Sequence, residues 1–249
     1  MKRLLAYLLC ASLLLVACGK SQNTDNTSQS IRSQVTSSSS EAKNTTAQIS
    51  SERSENTTEV DHTVATSTTA TYNGLYYSVQ GKYGDVIIVN KKHPVAMNYA
   101  PGEDLTALEA FQVLVSDMQT QGFSVSNSYS GFRSYETQAG LYNNYVARDG
   151  QAEADRYSAR PGYSEHQTGL AFDLLDGNGQ LLTETTATAW LAQNAHYYGF
   201  IVRYLPGKES STGYMAESWH IRYIGLEATD IYQSGLTLEE YFGLPGGGY

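Results

Sequence analysis

Cysteine is almost missing from this 249-residue chain: the only two, Cys10 and Cys18, lie near its start. No disulfide can staple the remainder, so its fold must rest on a core, with any help coming from a metal. Basic residues are also few, 16 against 25 acidic ones, for a formal charge of −9. Taking Lys2 and Arg3 away with a cleaved leader leaves 14 basic side chains against the same 25, a balance of −11. That balance argues against a nucleic-acid partner and against a polybasic membrane contact. There is no glycine-rich phosphate loop and no internal repeat. Histidine is scarce, five in all, so two of them in distinctive settings carry information.

What is present divides into three stretches. Lys2 and Arg3 precede an apolar run from Leu4 to Val16 that is too short to span a bilayer comfortably, the pattern of a secretory signal over residues 1–17. A small residue before Cys18 makes the end look like a bacterial lipobox, where the cysteine becomes the first mature residue and carries lipid; the alternative is an ordinary signal with an incidental cysteine. Residues 18–71 are Ser, Thr, Asn and Gln with scattered charge. They hold too little apolar surface to offset ordering entropy and read as a disordered tether, spanning roughly 40 Å on average as a coil. A lipid on Cys18 would tie the chain to the outer face of a membrane, for a Gram-positive cell at the base of its wall. Residues 72–249 have the length of one domain with a sizeable core, and nothing in them argues for more than a monomer.

Within that domain the pattern predicts a hairpin over 76–89 and a helix from Leu105 to Gln121. The helix has Leu108, Phe111, Leu114, Val115 and Met118 on one face, Thr106 with Glu109 as a capping box, and Gly122 as its stop. A strand follows from Phe123, then a helix capped by Ser134 and a short one over 152–157. Strands are expected at Leu170–Leu175, Phe200–Tyr204 and Trp219–Ile224. A helix from Thr183 to Tyr198 closes at Gly199, and two short helices end the chain. Helices and strands alternate, but the tight turns favour an antiparallel or mixed sheet flanked by helices, so the fold class is α+β.

His166 and Asp173 stand seven residues apart, with Gly169 able to bend the chain between them. Asp173 lies between Phe172 and Leu174, where a carboxylate is costly unless paired or bound to a cation. Alternation in Trp219–Tyr223 puts His220 and Arg222 on one face of a strand. Glu217, three residues before His220, would point away in a strictly extended strand, and is therefore expected on the loop before it. Two histidines, one aspartate and a spare glutamate make a three-coordinate catalytic zinc site with a base for its water. Spacing alone leaves this level with a reading of three unrelated polar residues: a capping histidine, a salt-bridged aspartate and a surface histidine.

The segment Pro161–Asp173, with the run Ser-Glu-His-Gln-Thr-Gly-Leu-Ala-Phe-Asp over 164–173, resembles the zinc-ligand segment of the VanY-type D,D-/L,D-carboxypeptidases of peptidoglycan. The resemblance extends through Ser130–Ser134 with Gln138, Val89–Pro94, Gly199–Tyr204, Thr212–Tyr214 and Glu217–Tyr223. It departs at Ser218, where the family commonly has proline, and at Phe132, where it often has tyrosine. The stretch around 156–173 looks most like streptococcal L,D-carboxypeptidases.

This resemblance implies Zn2+ in a cleft, held by His166, Asp173 and His220, with Glu217 moving the proton. It implies that Arg133 meets a terminal carboxylate or a developing oxyanion, with Gln138, Ser164, Tyr204 and Trp219 completing the pocket. The substrate it implies is a peptidoglycan stem peptide losing its terminal D-alanine, from a tetrapeptide by an L,D-enzyme or from a pentapeptide by a D,D-enzyme. Two other classes compete. A non-haem iron oxygenase uses a similar triad but usually spaces its first two ligands two residues apart, and a zinc-containing wall-binding module would not need Glu217. His62, His93 and His196 are expected to be structural or solvated, His196 with a partial charge that suits a helix end.

Overall fold

Gly81 and Gly84 close the first hairpin of the computed structural model, which describes residues 69–249. The Gly81 amide donates to the Gly84 carbonyl, joining β2 (Tyr77–Gln80) to β3 (Asp85–Ile88), with the short β1 (Thr71–Tyr72) on the other side of β2. The expected signal, Cys18, most of the tether and His62 lie outside the described residues. All the described residues belong to one compact unit, and none of their helices is long and apolar enough to cross a membrane.

The helix α1 (Leu105–Thr120) buries Phe111, Leu114, Val115 and Met118 of the apolar stripe expected of it, with Leu108 half-buried. Its cap differs: the Asp104 side chain accepts from the Ala107 amide, two residues earlier than a box on Thr106 would start. Then come β4 (Val125–Ser130), α2 (Tyr135–Asp149) capped by Ser134 as expected, and α3 (Gln151–Tyr157). A 3-10 turn over Glu165–Thr168 leads into β5 (Ala171–Asp176). The helix α4 (Thr185–Asn194) passes into a second 3-10 turn and stops at Gly199, which is left-handed. After β6 (Phe200–Tyr204) come α5 (Glu209–Thr212), β7 (Glu217–Tyr223), α6 (Glu227–Ser234) and α7 (Leu238–Phe242).

Strands β4, β5, β7 and β6 form, in that order, a sheet whose pairs are all antiparallel. Side-chain alternation divides its two faces. Phe172, Leu174, Phe200 and Ile221 point into an apolar core with α1 and α4. Ile201 points the other way, into a second core with Val79, Val86 and Ile88 of the hairpin and with Ile231, Leu238 and Phe242. Asp173, His220, Arg203 and Arg222 alternate with residues of the first core. They therefore sit on the second face, with the hairpin and the last helices.

Candidate metal centre

Each side chain of the expected triad reaches this face by a different local device. His166 is carried by the 3-10 turn, and Gly169 reverses the chain behind it with φ +75°. A side chain at Gly169 would meet the Gly102 carbonyl oxygen at 2.0 Å, so the bend between His166 and Asp173 needs glycine for space as well as for its backbone. Asp173 and His220 are directly paired across β5 and β7.

Glu217 corrects the sequence reading. It is not on a loop but is the first residue of β7, opposite Tyr204. The register between β6 and β7 shifts from Val202↔Ile221 to Tyr204↔Glu217, so two residues on β6 face four on β7. That bulge breaks strict alternation and turns Glu217 back towards the face of His220. Glu217 Oε2 lies 3.7 Å from His220 Nδ1.

The triad has the donor chemistry of a cation site. His166, Asp173 and His220 are all buried, and each offers a ligand atom within 4.8 Å of the other two. His166 Nδ1 lies 2.8 Å from the Gly131 carbonyl oxygen, and His220 Nε2 lies 3.2 Å from Glu165 Oε2. Both oxygens can only accept, so each ring carries a proton on the nitrogen facing them, His166 Nδ1 and His220 Nε2. His166 Nε2 and His220 Nδ1 are left facing Asp173, 3.2 Å and 3.0 Å from its oxygens. Despite those separations, His166 Nε2 and Asp173 Oδ1 are buried with no hydrogen-bond partner. Atoms that are close, buried and unpaired are costly by themselves and suited to a shared metal ion. The donor set, two imidazoles and one carboxylate, is that of catalytic zinc.

The charges around the triad set its ionic state before any metal is bound. Burial opposes a charge on Asp173, but His166 and His220 outweigh it and hold the carboxyl well below the usual range. Burial pushes His166 down to about 4, keeping it neutral as a ligand must be. Burial also works against charge on His220, yet Asp173 and Glu165 overcome it and raise the ring to about 9, so without a metal this ring holds a second proton, which a bound cation would have to replace. Burial pushes Glu217 up to about 7 against the pull of His220.

The remaining expected residues line one cleft of about 310 Å³ with the triad: Arg133, Gln138, Ser164, Tyr204, Trp219 and Glu217. Arg133 donates through Nη1 to Gln138 Oε1 at 2.9 Å and through Nη2 to Asp173 Oδ2 at 3.2 Å. Gln138 is itself fixed by donating to the Ala159 carbonyl. The cleft adds Tyr145, Tyr157 and Tyr214, which the sequence reading did not single out. Twenty tyrosines gave no way to choose these three. His93 and His196 lie outside it, both buried. His196 stacks on Tyr232, and burial pushes it down, so the helix-end charge expected of it is opposed.

The VanY family model, described as D-alanyl-D-alanine carboxypeptidase, matches residues 103–226. A putative carboxypeptidase of Bacillus subtilis, YodJ, is 34% identical over 190 residues, 66% of this chain and 69% of that protein. The crystal structure of the L,D-carboxypeptidase DacB from a pneumococcal Streptococcus is 57% identical, with a TM-score of 0.71 over 73% of this chain and 99% of that one. A mutant D,D-pentapeptidase VanY from a VanB-type vancomycin-resistance cassette, solved with Zn(II), is 36% identical, with a TM-score of 0.55 over 62% of this chain and 97% of that one.

Proposed function

This chain belongs to the VanY family of carboxypeptidases, and from that premise we propose that it is an L,D-carboxypeptidase that removes the terminal D-alanine from peptidoglycan tetrapeptides. The observation that carries the chemistry is the pair of buried, unpartnered ligand atoms, His166 Nε2 and Asp173 Oδ1, facing His220 beside Glu217. The preference for the L,D-bond rests on the 57% identity to DacB across nearly all of that chain. The alternative, a D,D-enzyme acting on pentapeptide, is favoured by the relative named D-alanyl-D-alanine carboxypeptidase in Enterococcus faecalis, which is 35% identical over 174 residues.

His166, Asp173 and His220 would hold Zn2+. When bound, the ion supplies a Lewis acid that makes water nucleophilic near neutral pH and polarises a carbonyl. Glu217 takes the proton of the attacking water and delivers it to the leaving amine. Its position suits this role, since it lies beside His220 Nδ1, the nitrogen that faces the site. Arg133, anchored by Gln138, offers a planar charged fork to the terminal carboxylate or to the oxyanion. Ser164, Tyr204 and Trp219 shape the walls.

The domain organisation belongs to the same proposal: a signal over 1–17, lipid on Cys18, a tether ending short of the expected residue 71 because Thr71 already pairs in β1, and a monomeric enzyme domain working outside the cell membrane within reach of the wall. Palmitate labelling of the chain in cells should disappear in Cys18→Ala; equal labelling of both would remove the anchor.

Mass spectrometry of stem peptides incubated with the purified chain tests the activity. Loss of one alanine from tetrapeptide and not from pentapeptide, abolished by a chelator, is expected. Loss from pentapeptide alone would make it the D,D-enzyme, and no chelator-sensitive loss from either would leave a wall-binding module.

A further inference from the structure

The chemistry proposed for the cleft leaves unused the most deeply buried group of charges among the described residues. Glu165, Arg203, Arg222 and Glu239 have side chains exposed by 3% or less. Arg203 Nε and Arg222 Nη1 both donate to Glu165 Oε1, at 2.8 and 3.0 Å. Arg203 grips Glu239 with both terminal nitrogens, at 2.9 and 2.6 Å. Glu239 also accepts from Asn90 Nδ2, and Arg222 Nη2 donates to the Ile87 carbonyl. Buried ion pairs of this kind contribute little net stability, because desolvation offsets their attraction. The network nevertheless ends on one functional atom. With Oε1 held by two arginines, Glu165 Oε2 is left facing His220 Nε2 at 3.2 Å.

We propose that Glu165 is a positioning residue for the metal ligand His220, and that Arg203, Arg222 and Glu239 lock its carboxylate in place. The inference rests on the reading of His166, Asp173 and His220 as the metal site. The two histidines are held unequally. His166 has a neutral backbone carbonyl behind it, and His220 has a full carboxylate. A carboxylate behind a ligand imidazole fixes its tautomer and orientation and makes its free nitrogen a stronger donor. Glu165 also adjoins His166 in the same 3-10 turn, so this one turn delivers one ligand and aligns another. Arg203, Arg222 and Glu239 come from β6, β7 and α7, so the alignment is referred to the whole sheet face and not to a mobile side chain.

The test is zinc affinity of the full chain, measured by competition with a chromophoric chelator, together with the visible spectrum of the cobalt(II)-substituted protein. Glu165→Gln keeps the shape and removes the charge; its affinity should fall about 10- to 100-fold and its cobalt spectrum should shift, with the circular dichroism of the fold retained. Glu165→Asp keeps the charge for the arginines but withdraws the oxygen from Nε2. It should show the same direction of change, and it decides the matter if Glu165→Gln does not fold. Wild-type affinity and an unchanged cobalt spectrum in a folded Glu165 variant would overturn the positioning role. A wild-type chain that takes up no zinc, or a His220→Ala variant with unaltered affinity, would overturn the metal-site reading beneath it.

Discussion

Glu217 shows how its surroundings set both what a carboxylate can do and when. It is buried enough to be pushed up to about 7, close to the range where a group can both take and return a proton. Glu217→Gln keeps its shape and removes the base. We expect kcat to fall about 10²- to 10⁴-fold with zinc stoichiometry unchanged; activity within a few-fold of wild type would assign the proton to another group. The same carboxyl dictates a pH dependence. Only its ionised form accepts a proton, so activity is lost as pH falls through its pKa. A cation held beside it favours the ionised form, so the acid limb of kcat/KM should lie below 7 and not under the ordinary 4.5. A profile flat across that interval would exclude Glu217 as the titrating base.

At the scale of elements, the bend between His166 and Asp173 is the most sharply specified feature. Gly169→Ala puts a methyl group 2.0 Å from the Gly102 oxygen and 3.0 Å from the Asp104 nitrogen, at a left-handed residue. Gly225 is also left-handed, but a methyl group there meets nothing within 4 Å. Gly225→Ala should therefore cost only the conformational term, about 1–2 kcal/mol, while Gly169→Ala should cost clearly more in urea unfolding. Equal costs would mean that the loop at Gly102 yields freely. This contrast also marks where the sequence was legible. Periodicity and glycine stops located α1, α4 and β6, because those signals are local. His166 and Asp173 share one short segment, but His220 and Glu217 lie far along the chain from it, and only the family resemblance of both segments drew the four together. The cap on α1, the bulge in β7 and the buried contacts of Glu165 were not legible. A bulge depends on how β6 pairs with β7, and the partners of Glu165 lie 38 to 57 residues away for Arg203, Arg222 and His220.

At the scale of the molecule, the sheet has an apolar core with α1 and α4 on one face, and on the other a buried charged layer beside the second core; that layer also joins the hairpin and α7 to the sheet. Arg222 reaches the Ile87 carbonyl, and Arg203 reaches Glu239. Acid should loosen this layer before the apolar core. Burial works against the charge of Glu165, but Arg203 and Arg222 outweigh it and hold the carboxyl well below its ordinary 4.5. A carboxylate held lower in the folded state than in the unfolded one adds stability above its unfolded value and loses it as pH falls through the folded one. The contribution of Glu165 is thus complete above about pH 5 and drains away only below about 4.5. Melting temperatures measured with a chelator present, so that loss of a cation does not contribute, should fall steeply for wild type below that point. Glu165→Gln should start lower at neutral pH, having left two arginines short of a counter-charge, and should lose less on acidification. Parallel acid limbs for the two proteins would show that other carboxylates carry the transition and that the buried network does not govern acid stability.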